Sequence, residues 1–560
     1  MLWRKNAVNR QISHAMWVLP LLMTGVVHAE PVATQTSSLP AVQTTVDFKV
    51  IPAGGRDEAV MQKLLRDRAA TLGNVPNNLG DVNLWSDRLT QALRQGGFPV
   101  AQVLMTEDDW RAVQRGATPV FVVYPGRIAK IVVQNKSRVN DARLQRLISH
   151  ALCGSDSLNG VCALQMPRLE RATQLLQDVP GIAIEKAPQF SPGEGVGDID
   201  VVFSIAEKGK PMQADLILDN QGIPSTGSYR FGVTASGNNY FGAGESYAFT
   251  LMATDKKMWT GSLAGSMPIF DDGLRLTGGI TRQQYSINAG TPVTGVATTA
   301  QAGVLYPFKR GLDANIWGGA SVLHSQTQTS YKDFAFASHS TLDSVRFSVQ
   351  ADNGDRPQQL RTNILSGEAA LTLGHQRNND PLDTAGPDHA GNYAKLTGSG
   401  FGTYALNRSG SLFMTARINS QLSSRNLDPS EKLAAGGPDA VRAYRSDEVS
   451  FDEGVVINAG LYQRFPVAAG HQIQVGVFSD FAVGRVNHSP WANWEQSYIG
   501  VPNVTNTRTL AGYGASVDWL TPVGATVSAS VSKPYGFSSA SWVEPGKKPL
   551  QYWLSVTWKH

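Results

Sequence analysis

Cysteine is scarce in this chain, and a second long apolar run is missing altogether. The 560 residues include only Cys153 and Cys162, with no histidine near them at ligand spacing, whereas a structural zinc site needs four ligands. After residue 29, no apolar stretch is long enough to cross a bilayer as a helix. Because only helices and closed barrels satisfy every backbone group in lipid, any membrane-spanning part beyond that point must be a β-barrel.

A strong charge of one sign is also missing. The 49 basic and 45 acidic residues leave a net charge of +4, which gives no electrostatic reason to expect a nucleic-acid partner. No P-loop, nucleophile elbow or dinucleotide fingerprint occurs. The stretch from His375 to His389 gathers histidines and aspartates, but its Asn, Asp, Gly and Pro content is that of an exposed loop. The sequence therefore predicts no catalytic residue, no metal site, no cofactor and no enzyme.

The N-terminus carries a secretion signal. Basic residues precede the apolar run Ala15 to Val27, and the segment Val27-His28-Ala29 has small residues at the two positions that a signal peptidase prefers. We therefore predict a signal peptide over residues 1–29. A membrane anchor is the weaker alternative, because the run has about 13 residues and a spanning helix needs about 20. The linker at 30–45 contains two prolines and no helical stripe, which predicts that no helix from it plugs a pore.

The two cysteines lie close together in sequence. In the oxidising compartment that a secretion signal implies, a disulfide between Cys153 and Cys162 is the favoured interpretation. Two buried free thiols are the alternative.

Two similar units follow the linker. Strand and helix signals occur twice in the order β-α-α-β-β, first from Val46 and again from Ile128, about 80 residues apart. We therefore predict two small α+β domains, over residues 46–127 and 128–208, whose helices cover one face of each sheet.

From about residue 212 the apolar residues alternate with polar ones. Tyr229, Phe231 and Val233 show the pattern, and it continues to the last strand, which ends near Trp558. Such alternation over some 350 residues is typical of a membrane β-barrel with an apolar outside and a wet inside, and we predict one over residues 209–560. A soluble antiparallel sandwich alternates likewise, with its apolar face inward.

Three stretches now resemble a known family. "LRQGGFPVAQVLMTEDDW" and "RLERATQLLQDVPGIAIEKAPQF" look like parts of its two polypeptide-transport-associated (POTRA) domains, and "LILDNQGIPSTGSYRFGVTASGNNYFGAGESY" looks like the start of its barrel. The chain thus resembles the two-partner secretion outer-membrane transporters, the TpsB family of haemolysin and adhesin exporters. The resemblance implies 16 antiparallel strands, two periplasmic POTRA domains and export of an unfolded exoprotein to the cell surface. A barrel-assembly factor of the same superfamily is the alternative.

The resemblance also implies partners. These are a secreted exoprotein with an N-terminal secretion domain (TpsA type), outer-membrane lipid, and the barrel-assembly machinery during biogenesis. The usual C-terminal aromatic signature is displaced here, since the chain continues from Trp558 to His560.

The same resemblance assigns a functional loop. "GGPDAVRAYRSDEVSFDEG" looks like the long loop, near residues 430–453, that folds back into the barrel in this family. Its tip would be Val441, Arg442, Ala443 and Tyr444, with Arg442 paired to Asp480 of the wall motif that begins at Phe478. A guanidinium binds a carboxylate bidentately, which suits an anchor in a lumen where solvent is restricted.

Two residues depart from the family pattern. Ala443 and Ala482 stand where relatives carry glycine. If either position needs a positive φ or a close backbone approach, alanine would resist it, and we then expect the loop to lie in a different position.

Overall fold

The structure is a computed structural model that describes residues 46–154, 162–287, 292–331, 333, 336–354, 363–497, 504–535 and 550–559. The signal peptide predicted at 1–29 and the linker at 30–45, with its expected lack of a plug helix, lie outside the described residues. None of the helices in the described ranges combines the length and hydrophobicity of a membrane-spanning segment.

The first N-terminal unit packs helices on a small mixed sheet. Its elements are β1 (Asp47–Val50), α1 (Glu58–Ala69), α2 (Leu79–Gln95), β2 (Gln102–Leu104), α3 (Glu107–Gln114) and β3 (Val120–Tyr124). The sheet order is β1-β3-β2, with β1 parallel to β3. The stripe of Trp85, Leu89 and Leu93 on α2 is buried, as its helical spacing predicts.

Helix α3 is an addition to the predicted order. It begins after Thr106, whose hydroxyl accepts a hydrogen bond from the backbone N–H of Asp109 at 3.2 Å. None of its residues is buried. A helix with no buried face does not need apolar residues at helical spacing. The sequence analysis, which relied on that spacing, therefore did not predict this helix.

The second N-terminal unit has the predicted β-α-α-β-β order. Its elements are β4 (Arg127–Lys136), α4 (Asp141–Cys153), α5 (Met166–Asp178), β5 (Ile182–Pro192) and β6 (Asp198–Glu207). The sheet order is β4-β6-β5, with β4 parallel to β6. Phe203 and Ile205 of β6 are fully buried against Leu144, Ile148 and Leu176 of the two helices.

Most of the described chain after the second unit forms a closed barrel of 16 antiparallel strands, as predicted. The wall strands are β7 (Met212–Asp219), β8 (Arg230–Asn238), β9 (Ser246–Thr254), β10 (Trp259–Pro268), β11 (Arg275–Ile287), β12 (Val293–Lys309), β13 (Asn315–Tyr331), β14 (Phe336–Asp352), β15 (Asn363–Asn378), β16 (Gly391–Ala405), β17 (Leu412–Ser423), β20 (Glu453–Pro466), β21 (Gln472–Arg485), β22 (Thr507–Leu520), β23 (Ala525–Pro534) and β24 (Gln551–Lys559). Strand β24 closes the barrel by pairing with β7.

The alternating apolar residues of the wall face outward. Phe231 is 50% exposed, Phe249 44% and Ile280 49%. A sandwich would bury these side chains between two sheets, so the sandwich alternative is wrong. An outside lined by large exposed apolar residues is the arrangement that a bilayer stabilises.

The second unit is hydrogen-bonded to one end of the barrel, here called the proximal end. The Arg310 guanidinium binds the Asp178 carboxylate through two bonds of 2.6 and 2.7 Å. Arg143 likewise binds Asp271, at 2.9 Å. Asp271 and Arg310 lie in the turns after β10 and β12, so the loops that join strands at the opposite, distal end point away from both N-terminal units.

Candidate functional site: a loop anchored inside the barrel

The distal connection between β17 and β20 turns back toward the wall. It contains a 3₁₀ turn (Pro429–Glu431) and a small hairpin of β18 (Leu433–Ala434) and β19 (Ser450–Phe451). Between β18 and β19 the chain reverses at Gly437, whose φ is +110°, a conformation that favours glycine. A Cβ on Gly436 would lie 2.2 Å from the carbonyl oxygen of Arg445. The two glycines therefore allow the tight turn that presents residues 441–444, here called the tip.

Arg442 of the tip binds Asp480 of β21 through three hydrogen bonds. The guanidinium donates from Nε to Oδ2 at 2.8 Å and from Nη2 to Oδ1 at 2.7 Å. The backbone N–H of Arg442 donates to Oδ2 at 3.0 Å. Asp480 is 0% exposed, so its charge is compensated inside the protein rather than by water. A bidentate pair that also uses the backbone fixes the position of the tip as well as its side chain.

Asn458 supports the same carboxylate from the neighbouring strand. Its amide nitrogen donates to Oδ1 of Asp480 at 2.8 Å and to the carbonyl oxygen of Ala440 at 2.7 Å. Asn458 lies directly opposite Asp480 in the pairing of β20 with β21. The sequence analysis missed this residue, although the short connection between the two strands would have indicated the register and hence this partner.

Phe478 lies on the same face of β21 as Asp480 and beneath the guanidinium. The Cζ atom of Arg442 is 3.3 Å from the centroid of the Phe478 ring, which is a cation–π arrangement. Phe478 is 5% exposed. The ring and the carboxylate together form the wall surface that receives the arginine.

The carbonyl oxygen of Arg442 is held by the last two strands. The indole Nε1–H of Trp553 on β24 and the hydroxyl of Ser532 on β23 each donate to it at 2.7 Å. Neither residue was predicted, because nothing in their local sequence places them opposite a loop that lies about 100 residues away. Through Ala440 and Arg442 the loop is thus hydrogen-bonded to four wall strands, β20, β21, β23 and β24.

Ala443 packs against a glycine of the wall. A Cβ built on Gly512 of β22 would lie 2.4 Å from the Cβ of Ala443. Ala443 and Ala482 are both absent from the residues with positive φ. Alanine is therefore compatible with both positions, and the close approach at the tip is provided by Gly512 instead.

The other tip residues are buried in the cluster that surrounds this contact. Val441 is 0% exposed and Tyr444 is 2% exposed. The hydroxyl of Tyr444 donates to the carbonyl oxygen of Ala511 at 3.4 Å. The tip is consequently packed as well as hydrogen-bonded.

The base of the loop is fastened at a second place. Asp452 is 0% exposed, and one of its carboxylate oxygens lies 3.2 Å from Nζ of Lys432. Its other oxygen accepts from the backbone N–H of His488 at 2.8 Å. Nearby, Gln376 of β15 donates to Asp428 at 2.8 Å. The loop is therefore fixed both where it leaves the wall and at its tip.

The two cysteines lie far from this loop, in the second N-terminal unit. The Sγ atoms of Cys153 and Cys162 are bonded at 2.09 Å. After Cys162 the chain bonds to both units: the carbonyl of Cys162 accepts from Ile128 at 2.8 Å, and the N–H of Met166 donates to the carbonyl of Gly97 at 2.9 Å. Ala163 is buried in the core of the first unit. The disulfide therefore tethers a segment that bridges the two units.

The stretch from His375 to His389 does not gather into a metal site. His375 lies on β15 with Nδ1 2.8 Å from Oδ1 of Asn392, whereas His389 contacts Asp383 in the distal loop. Within the described ranges, no group of three or more His, Cys, Asp or Glu side chains has a metal-binding arrangement.

Comparison with known proteins identifies relatives of this chain. The model of the haemolysin secretion/activation protein family ShlB/FhaC/HecB matches residues 197–502, which is more than half of the chain and includes both Arg442 and Asp480. The heme/hemopexin transporter protein HuxB of Haemophilus influenzae strain 86-028NP is 20% identical over 491 residues, covering 86% of this chain and 81% of the relative.

Solved structures share the fold. CdiB from Escherichia coli superposes with a TM-score of 0.69 at 17% identity, covering 94% of this chain and 93% of that one. CdiB from Acinetobacter baumannii gives a TM-score of 0.64 at 15% identity, covering 95% and 93%. Both similarities extend over the N-terminal units as well as the barrel.

Proposed function

The chain belongs to the haemolysin secretion/activation protein family ShlB/FhaC/HecB, the two-partner secretion transporters of the outer membrane, and we propose that it exports one unfolded exoprotein. In this proposal the exoprotein has an N-terminal secretion domain and is bound first by the POTRA domains, residues 46–127 and 128–208, in the periplasm. It then passes through the barrel of residues 209–560 to the cell surface.

The observation that carries the proposal is the anchored loop inside the barrel. Its tip is held by the hydrogen bonds of Arg442 with Asp480 and by those of its carbonyl with Ser532 and Trp553. Hydrogen bonds and ion pairs of this kind can be exchanged for bonds to another peptide without any covalent change. The loop therefore acts as a reversible closure, which leaves the lumen when an exported chain enters.

The inside of the barrel suits an extended polypeptide. On β14 and β15, Arg346 contacts Glu368, and Gln350 donates to the same carboxylate at 3.0 Å. A wall of such polar side chains hydrogen-bonds to a passing backbone but offers no large apolar surface on which a segment would stall.

The N-terminal units supply sheet edges for the first binding step. Their sheet orders leave β1 and β2 at the edges of the first unit, and β4 and β5 at those of the second. An extended chain that adds to such an edge gains main-chain hydrogen bonds, whose formation is independent of side-chain sequence. This mode of binding supports our proposal that an unfolded cargo is captured before it enters the barrel.

The proposal is tested by deleting the gene and measuring the surface and medium proteomes. We expect one large exoprotein to disappear from both, and re-expression of the intact chain to restore it. Loss of many outer-membrane barrels would instead support a barrel-assembly factor. Unchanged levels of every large exoprotein would refute the export function.

A further inference from the structure

The outer wall of the barrel carries an unusual polar row across strands β12 to β16. The row is continuous in the strand pairing, because each residue lies directly opposite the next. Its members, in strand order, are Ala300, His324, Asp343, His375 and Asn392. Paired residues of neighbouring strands point to the same face, and the exposed neighbours Val322 and Val345 show that this face is the outer one.

The row lies at the edge of the apolar band. Two residues toward the proximal end, the corresponding row of the same five strands is entirely apolar, and it consists of Ala302, Val322, Val345, Leu373 and Ala394. Two residues toward the distal end, the row is polar and contains Thr298, Gln326, Thr341 and Arg377. The polar row therefore marks the level at which the lipid-facing surface ends.

Cations surround this level. Arg377 lies on β15, and Arg282 lies on β11 opposite Thr298. Asp343 is the one acid of the row, and it orients two of the basic groups: it accepts from Nη2 of Arg377 at 2.8 Å and lies 2.6 Å from Nδ1 of His324. These side chains remain open to the surroundings, since Arg377 is 65% and His324 49% exposed.

Both imidazoles of the row are held through the same ring nitrogen. Nδ1 of His324 contacts Asp343, and Nδ1 of His375 lies 2.8 Å from Oδ1 of Asn392. Because Nδ1 makes the contact in each ring, Nε2 of both rings faces away from it and is available to a further group.

A depression of about 930 Å³ opens on the outer surface beneath these groups. It is lined by the small side chains of Ala300, Ala302 and Ala394 and by the larger side chains of Val322 and Leu373. The small alanine side chains create the space between larger neighbours. An apolar depression ending at a cluster of cationic and hydrogen-bonding groups is complementary to an amphiphile with an acidic head.

We propose that this site binds one lipid of the outer leaflet, with an acyl chain in the depression and a headgroup phosphate at the polar row. Arg282 on β11 and Arg377 on β15 flank the polar row on its two sides, and with Asp343 they leave a net positive charge at this level, which favours an anion. Its position at the edge of the apolar band places a phosphate at the level of the lipid headgroups. The inference depends on the outer-membrane location of the barrel and is independent of the proposed cargo.

The test uses the full chain refolded into phosphatidylcholine vesicles that contain a phosphatidic acid with a diazirine on its acyl chain. After irradiation, we expect labelled peptides to come preferentially from β12 to β16. Arg282→Ala and Arg377→Ala should each lower the labelling there about fivefold, because a basic residue near a lipid surface is worth about 1 kcal/mol. Ala302→Phe, which fills the depression with an apolar group, should lower it as well.

Gln328→Ala, an outward polar position farther toward the distal end of β13, is the matched control and should leave the labelling unchanged. Heat-modifiable gel mobility checks that every variant forms the barrel. Equal labelling of the arginine variants and the intact chain would overturn the proposal. So would the same labelling pattern from a diazirine-bearing phosphatidylcholine, since both results would mean that ordinary surrounding lipid fills the depression.

Discussion

Ala443 at the loop tip and Gly512 on β22 approach so closely that a Cβ on Gly512 would lie 2.4 Å from the Cβ of Ala443. Side-chain carbons do not tolerate such a distance, so the wall position must remain glycine while the tip carries alanine. The contact needs one small partner, and here the wall provides it.

Gly512→Val should therefore displace the tip. The tip is packed on several sides, so a small local shift cannot accommodate the added side chain. We therefore expect residues 441–444 to leave the wall as a unit and the hydrogen bonds of Arg442 to break. In planar bilayers the variant should show a more frequent open state than the intact chain.

Gly278→Val on β11 is the matched control, since the nearest atom to an added Cβ there is 3.6 Å away. The double variant Gly512→Val with Ala443→Gly should recover part of the closed state. Conductance of Gly512→Val equal to that of the intact chain would show that the tip does not depend on this contact.

Replacing Arg442 by alanine should impair export while the barrel still assembles. The change leaves Asp480 buried without its guanidinium, which typically costs about 3–5 kcal/mol. The loop can move and expose Asp480 to water, which removes much of that energetic cost. The substitution should therefore change the position of the loop and leave the assembly of the barrel intact. The amount of exoprotein in the medium and the heat-modifiable mobility of the barrel measure the two effects separately.

Arg445→Ala is the control for this variant. Arg445 belongs to the same loop, and its guanidinium binds Asp447 of that loop at 2.6 Å. Its removal should leave export close to that of the intact chain. Normal secretion by Arg442→Ala would remove the role that we assign to the arginine.

Trp553→Phe tests the contact between the tip and the closing strand. Phenylalanine keeps most of the ring but loses the Nε1–H that donates to the carbonyl of Arg442 at 2.7 Å. A lost hydrogen bond of this kind costs about 1 kcal/mol, which corresponds to about a fivefold increase in the open fraction. Single-channel recording measures this fraction. Trp558→Phe, whose indole donates to Val523 instead, is the control and should leave it unchanged.

The barrel and the two N-terminal units were predictable because their signals are local. The alternation around Phe231 and Val233 reflects two faces of one strand, and the stripe of Trp85 and Leu89 reflects one face of one helix. Helix α3 was not predicted, because it buries no residue and so has no apolar stripe in its sequence.

The site was less accessible to sequence reasoning. Arg442 and Asp480 were paired only through the family resemblance, since no local pattern joins two residues 38 positions apart. Trp553 and Gly512 contact the tip from strands whose registers follow from the closed barrel as a whole. The wall residues that contact an inward loop can therefore be identified only from the three-dimensional arrangement of the strands around that loop.

A pH effect is expected at the start of the second unit. The Arg127 guanidinium, through its hydrogen bonds with Asp198, holds the pKa of that carboxyl below its usual range. A lowered pKa in the folded state contributes stability above the unfolded pKa of about 3.9, and that contribution is lost as the pH falls through the lower folded value. Asp198→Asn should therefore reduce protection of β4 and β6 at neutral pH, with a difference that shrinks in acid.

Hydrogen exchange of the full chain, corrected for the intrinsic pH dependence of exchange, measures this difference. Asp200→Asn, two residues farther along β6, is the matched control. A difference between Asp198→Asn and the intact chain that stayed constant from neutral to strongly acidic pH would contradict the assigned pKa.

Reduction of the disulfide should loosen the connection between the two N-terminal units. The tethered segment bonds to Ile128 in one unit and to Gly97 in the other, so freeing Cys162 from Cys153 weakens both attachments. A disulfide that closes a short loop contributes about 2–3 kcal/mol. In Cys153→Ser we expect faster exchange at residues 162–166 than in the intact oxidised chain.

Exchange in the barrel strands provides the internal reference for this variant, because the disulfide lies outside the wall. Arg168 and Asp57 form an ion pair between the same two units, with bonds of 2.7 and 2.9 Å. Arg168→Ala removes this ion pair and so measures its own contribution to the attachment of the segment. If the disulfide fixes the bridging segment, both variants should loosen it and their effects should not add, since they act on one attachment. Unchanged protection of residues 162–166 in Cys153→Ser would show that the segment holds the units together without the disulfide.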